Sequence, residues 1–287
     1  METNNTEEVR RKGKAWRQLK QNRMAIVGLI VIAIFAIMAI GAPWIAPHDP
    51  LDTSFRHRLE GPCKDHWLGR DELGRDVLSR IIHGSRVSIS IGLISVCIGL
   101  IVGVPTGALS GYYGGKFDLL VQRLVDIMLA FPAILLALII VSIMGVGLTN
   151  AMVALGVVSI PQYVRLVRGS VLSLRNKEFV QAAKALGARE RVIIFRHILP
   201  NCLAPVIVQS TLQVATAILW AAGLGFLGLG AQPPMAEWGA MLSSGRGYIR
   251  VAHHVTTFPG LAIMISVLGF NLLGDGLRDA LDPRMKT

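Results

Sequence analysis

The sequence predicts an all-α, polytopic membrane protein with six transmembrane helices. Three observations carry this: an apolar composition, charge-fenced hydrophobic segments, and positive charge gathered on one side of them. Of the 287 residues, 52% are hydrophobic and 16% charged, with a mean hydropathy of +0.53, more apolar surface than one soluble core can hide. A span needs about 20 apolar residues, and a charge at mid-membrane costs roughly 2.5–3.5 kcal/mol on insertion scales, so charges belong at the ends of spans.

Residues 1–23 form a polar arm with Arg10, Arg11, Lys12, Lys14, Arg17, Lys20 and Arg23. The first span, 25–45, exceeds the roughly 7–15 apolar residues of a cleaved signal and follows that basic arm, so it reads as a retained anchor. Anchor and external loop together make up residues 24–85. In the loop, Asp71, Glu72 and Asp76 alternate with Arg70, Arg75 and Arg80 and lack the spacing of a calcium loop, which predicts a charge-paired surface. Asp76, Arg80 and Gly84 are spaced like a short surface helix.

A block from 86 to 276 holds five further spans, at 87–109, 127–144, 148–167, 203–229 and 258–273, and residues 277–287 form a tail. The span at 148–167 is the least distinct, interrupted by Pro161 and Gln162. Six crossings put both termini on one side. Most of the 29 basic residues fall in the arm, around Lys116 and Arg123, in the 165–196 region and in the tail, so that side is cytoplasmic. The net charge of +11 thus reflects topology, and without interleaved aromatics it predicts no nucleic-acid partner.

Gly99, Gly103, Gly107, Gly111 and Gly115 recur every four residues. Successive small residues at this spacing let another helix approach closely; a hinge aided by Pro105 is the other reading. Polar residues inside spans are site candidates because hydrocarbon offers them no partner. Gln209 and Gln213 share one face, with Thr211 nearby and Asn271 in the last span; they either bond between helices or line a translocation path.

Other motifs fail on context. Gly223 to Gly228 matches a dinucleotide fingerprint but lies in an apolar span with no strand before it. Gly114-Gly115-Lys116 lacks the first glycine and the final Ser or Thr of a phosphate loop, so the sequence predicts no nucleotide site there. Adjacent His253 and His254 point different ways on a helix, and Cys63, Cys97 and Cys202 fall in separate compartments. The reading is no catalytic set, no cofactor, no metal.

Residues 177–200 predict a rigid knob. Phe179, Ala182, Ala183 and Leu186 make an apolar stripe beside Lys177, Gln181 and Lys184; Gly187 supplies a reversal; Val192, Ile193, Phe195 and Ile198 form a second amphipathic helix that Pro200 closes.

These residues resemble a known element. Ala182-Ala183, Gly187 and Leu199-Pro200 are similar to the EAA loop of the membrane subunits of ATP-binding-cassette importers, with Gln181 where glutamate is usual and His197 where isoleucine is usual. His66 to Arg80 and Gly274 to Pro283 resemble the C-type permease subunit of dipeptide, oligopeptide, nickel and glutathione importers, and the likeness runs from about residue 17 to the C-terminus. It implies a type I importer fold in a bacterial inner membrane, with Gln181, Ala182, Ala183, Gly187, Leu199 and Pro200 in a cytoplasmic coupling loop. It also implies a second, B-type permease, two ATPase subunits and a periplasmic or lipid-anchored solute-binding protein as partners. The alternative, an ATP-independent secondary transporter or channel subunit, needs ionisable residues in mid-span, and the predicted spans supply none.

Overall fold

Asn22 opens the first helix by accepting from the Met24 and Ala25 amides, which satisfies two of the N–H groups a helix start leaves free. The structure, a computed structural model, describes residues 21–281; the basic arm up to residue 20 and the tail beyond Leu281 lie outside the described residues. The described residues form the helices α1 (Arg23–Ile45), α2 (Val77–Tyr113), α3 (Gly115–Ala130), α4 (Ala133–Met144), α5 (Leu148–Leu174), α6 (Glu178–Ala185), α7 (Glu190–Phe226), α8 (Trp238–Gly245) and α9 (His254–Leu281).

Two predicted elements need correction. First, Asp76, Arg80 and Gly84 do not form a separate surface helix: they cap and begin α2, a continuous helix of 37 residues. At 1.5 Å per residue that is about 55 Å, well beyond a hydrocarbon core of about 30 Å, so its first turns stand clear of the span. Second, 127–144 is not one straight span. Phe131 is extended (φ −90°, ψ 139°) and α3 meets α4 at 95°. Pro132 explains the break, since it lacks an amide proton and forces the preceding residue out of helical geometry.

Helix order is set by glycine contacts. A Cβ built on Gly99, Gly103, Gly107 or Gly111 would stand 2.2–2.9 Å from Ser159 Oγ, Tyr163 Cβ, Val164 O and Arg168 O respectively. Partners rise in sequence with the glycines, so α2 and α5 run parallel at close approach. Parallel neighbours require the chain to cross back between them, and the bent α3–α4 pair makes that crossing: Gly114 follows α2, while Gly147 donates to Leu229 O beyond the far end of α7. Among the described residues, five single helices are long and apolar enough to cross a membrane, and the bent pair supplies a sixth pass. α1 packs on α9 through Gly28, whose Cβ would meet Gly269 O at 2.7 Å. Asn22 Nδ2 donates to Asp279 Oδ2 (3.2 Å), so the described chain ends side by side.

The span at 148–167, least distinct in hydropathy, lies within the continuous α5 and is the most buried of the candidate spans. Its polar residues need no lipid contact because α2, α4 and α7 surround it. The core is divided along the bundle: Phe35, Val77, Ile81 and Trp238 cluster near the start of α2, and Val167, Val171, Val180, Ile193 and Ile198 cluster where the knob joins the helices.

Candidate coupling and translocation site

The knob is a short helix, a left-handed glycine and a long helix. Gly187 has φ +78° and no atom within 4 Å of where a Cβ would be, so the backbone, not crowding, demands glycine. The α6 end is a Schellman turn, with Gly187 N donating to Lys184 O (2.9 Å) and Ala188 N to Ala183 O (3.0 Å). Of the expected stripe, only Ala183 is buried, with Val180 beside it. Phe179, Ala182 and Leu186 face outward, as do Val192 and Phe195 in α7, and Leu186 is 88% exposed. Gln181 lies exposed among them.

Pro200 does not close a second helix. α7 runs unbroken from the knob into the bundle, and the backbone widens to π geometry over Ile193–Ile198, where the Leu199 amide bonds Ile194 O. The proline ring would clash with the carbonyl four residues back; widening relieves this without a break. Leu199 is half-buried and Pro200 exposed at this junction.

Three contacts fasten the knob end. Arg168 makes a bidentate pair with Asp118 (2.6 and 2.7 Å), which also accepts from Ser110 Oγ. Arg175 Nη1 donates to Gly111 O (3.2 Å), and Lys184 Nζ lies 5.4 Å from the Tyr112 ring centre. Asp118, Arg168 and Arg175 thus tie α3, α5 and α2 together beside the knob. Sequence reading counted these arginines only as topological charge.

Among the path candidates, Gln209 Nε2 donates to Gln162 Oε1 (3.3 Å) from α7 to α5, and Tyr163 Oη bonds Ser210 Oγ (3.2 Å) beside it. Gln213 is buried one turn on, and Asn271 is half-buried on α9. Polar side chains from two helices therefore meet in mid-span, with Gln209 engaged in an interhelical bond.

At the opposite end residues 48–80 fold into a cap. The alternating acidic and basic residues there do pair, but Asp71, Arg75, Asp76 and Arg80 are buried and Arg70 and Glu72 half-buried, which corrects the expected charged surface. Asp71 accepts from Arg75 Nε (2.6 Å), Arg75 N (2.9 Å) and Leu73 N (2.9 Å), and it lies 3.4 Å from Arg80 Nε. Arg75 also pairs with Glu72 (3.0 Å). Burial pushes the Glu72 carboxyl above the usual carboxylate range, helped by neighbouring Asp71. Trp238 Nε1 donates to Ile81 O, and His254 bonds Arg70 O, closing α8 and α9 over the cap. Glu237 caps α8 through the Gly239 and Ala240 amides (2.9 and 2.8 Å). The cap also gathers His48, His66 and Asp76, which the sequence never singled out as a group.

The dinucleotide-like run serves packing: a Cβ on Gly225 would lie 2.6 Å from Glu237 Oε2, and Gly228 ends α7 with φ +79°.

Comparison with known proteins settles the class. Residues 103–287 match the family "binding-protein-dependent transport system inner membrane component", and residues 13–62 match the N-terminal membrane domain of oligopeptide transport permease C. The chain belongs to this permease family. The permease is 54% identical over 274 residues to the dipeptide transport system permease protein DppC of Alkalihalophilus pseudofirmus, covering 96% of this chain and 90% of that protein. It is 47% identical over 274 residues to the glutathione transport system permease protein GsiD of Pectobacterium atrosepticum, with 95% and 91% covered. The inward-facing MetNI methionine ABC transporter shares the fold at TM-score 0.58 and 22% identity, over 71% of this chain and 96% of that one. The permease is accordingly a multi-pass inner-membrane component of an ABC importer, with a type I importer fold.

Proposed function

We propose that this permease is the C-type subunit of an importer for peptides or related small solutes, a class spanning dipeptides, oligopeptides, glutathione and chelated nickel. The substrate class rests on its similarity to dipeptide and glutathione permeases. Around it we place a B-type permease, two ATPase subunits and a solute-binding protein. The ATPases bind the knob; Phe179, Leu186 and Phe195 form an exposed apolar ridge that enters a groove on the partner, a helix-in-groove contact. The exposure of these three apolar side chains, on a knob whose second helix runs on into the bundle, is the observation that carries the reading.

Nucleotide-driven movement of the knob passes along α7, which has no break between Glu190 and Phe226. The Asp118–Arg168 pair and the cluster around Ile193 and Ile198 pass it to α2, α3 and α5. The mid-span polar residues Gln209, Gln213 and Asn271 are the proposed path, alternately open to either side. The permease binds no nucleotide and performs no covalent step; its work is transmission and gating.

Uptake of a labelled dipeptide in cells carrying the whole assembly tests this. Uptake falls to background when the partner ATPases are catalytically dead; uptake independent of them would favour the secondary-transporter reading. Orientation is tested by thiol labelling: Cys63, exposed in the cap, reacts with an impermeant reagent from outside, whereas Met285→Cys does not. The reverse pattern would turn the knob away from the cytoplasm.

A further inference from the structure

We infer that His48, His66 and Asp76 form a binding site for a divalent first-row transition metal of the Zn²⁺ or Ni²⁺ type, resident in the cap. The three residues come from separate segments. His48 follows α1, His66 lies in the loop, and Asp76 caps α2. Their ligand atoms all lie within 4.8 Å of one another. In a tetrahedral site with metal–nitrogen bonds of about 2.0–2.1 Å, ligand atoms stand about 3.3 Å apart. His66 Nδ1 is 2.8 Å from Asp76 Oδ1 and His48 Nδ1 is 3.8 Å from it, values on either side of that spacing. Turning the two rings so that their in-plane lone pairs converge would bring all three onto one ion.

The surroundings prepare the ligands. Asp76 uses Oδ2 to accept from Ser79 N (2.7 Å), which fixes the carboxylate and leaves Oδ1 directed at the histidines. His48 is held by its own amide, which donates to Ser79 Oγ (3.0 Å), and its ring lies 4.4 Å from that of His66. His48 Nδ1 is buried with no hydrogen-bond partner. Such an atom is costly to leave unmade, and a cation would satisfy it. The His48 side chain is 36% exposed, so one side of the cluster is open for an ion to enter and for a water to complete its coordination.

The donor set selects the class of metal. Two imidazoles and one carboxylate suit zinc, nickel, copper or iron, whereas calcium takes six to eight oxygens and magnesium an oxygen octahedron. Bound here, the ion would join the exit of α1 to the entry of α2 and hold the cap closed at the end of the bundle remote from the knob.

The full chain, purified in lipid nanodiscs with a tag free of histidine, would be titrated with Zn²⁺ and separately Ni²⁺ against a chromophoric chelator. We expect one saturable equivalent. His48→Gln and His66→Gln should each weaken it by more than the roughly 10- to 100-fold that loss of an outer-shell partner costs. His253→Gln, at an exposed histidine outside the cluster, should leave it unchanged. Co²⁺ bound in place of Zn²⁺ should show visible absorption bands that vanish in His48→Gln. If buried His66→Gln fails to fold, half-exposed His48→Gln decides alone. An absence of saturable binding in the wild type, or binding equal in the wild type and His48→Gln, would overturn the site.

Discussion

The two ends of the bundle invert the usual rule of apolar inside and charged outside, each in its own way. The cap buries charge: Asp71, Arg75, Asp76 and Arg80 are all nearly inaccessible, and their hydrogen bonds are made within the cap, to α2 and, from Arg80, also to Pro234 O ahead of α8. The knob exposes hydrocarbon: Phe179, Leu186, Val192 and Phe195 face outward while Val180, Ala183, Ile193, Ile194 and Ile198 turn in. A buried charge needs a partner close by, and the charged groups of Asp71, Arg75 and Arg80 find theirs within this one chain. An exposed apolar ridge marks a surface completed by something else. One end is therefore built for permanence and the other for a partner.

Breaking the cap should have the largest effect. Asp71→Ala removes the carboxylate that serves Arg75 and Arg80 and leaves two guanidinium groups buried without it. Removing one partner of a buried pair costs about 3–5 kcal/mol. We expect low membrane levels and a clear fall in unfolding temperature of the purified chain. Near-wild-type levels would mean that the cap network is solvated, and the contrast between the ends would lose its basis.

Gly187→Val should be nearly as damaging to transport yet mild for assembly. A β-branched residue at φ +78° strains the turn by about 1–3 kcal/mol, and no neighbour stands close enough to add a clash. The bundle does not depend on this turn, so membrane levels and pairing with the second permease should hold. Uptake should be lost, and binding-protein stimulation of ATP hydrolysis weakened. Normal coupling at matched expression would show that the knob does not transmit.

The residues that produce this contrast were unequally legible in the sequence. Hydropathy and charge placement located the apolar segments because lipid imposes its constraint locally, over about 20 residues at a time. Gly187 was legible for the same reason, since a reversal needs a local backbone geometry. The buried cap was not, because Arg75 and Arg80 look like surface until Trp238 and His254, far along the chain, close over the segment. Pro200 reads as a stop and is absorbed by a π segment, whereas Pro132, inside a stretch that reads as one span, breaks it at 95°. The neighbouring turns decide between those outcomes. His48, His66 and Asp76 carry no motif spacing, and only the folding of α1 back onto α2 brings them together.

A third test probes the ridge itself. Leu186→Ser and Phe195→Ser alter exposed side chains, so the isolated permease should change by no more than about 0.5 kcal/mol in stability. Truncating an apolar anchor at an interface costs roughly 1–2 kcal/mol or more, which is about 5- to 30-fold in affinity. Co-purification of the ATPase subunits should fall accordingly while the permease pair stays intact. Unchanged ATPase recovery from the double variant would assign the ridge to some other contact.

The smallest effect is expected at Gln181, and its smallness sharpens the comparison. Gln181 is exposed on α6, one helical position before outward-facing Ala182, and glutamate there would resemble the commoner pattern of the loop. The substitution adds one negative charge near the start of a short helix already bearing Glu178, while Lys177 and Lys184 stand close in sequence. Favourable helix-end and side-chain charge interactions are worth only a few tenths of a kcal/mol at an exposed site. We therefore expect Gln181→Glu to leave membrane levels, uptake and stimulated hydrolysis within about twofold of wild type, since 0.4 kcal/mol is about a factor of two. Measured beside Gly187→Val, it separates two accounts of the knob. If shape and apolar contact carry the coupling, the glycine variant fails and the charge variant works. Should Gln181→Glu instead abolish or strongly raise coupling, the knob would act through charge at this position, and its exposed hydrocarbon would no longer explain how this end of the permease meets its partner.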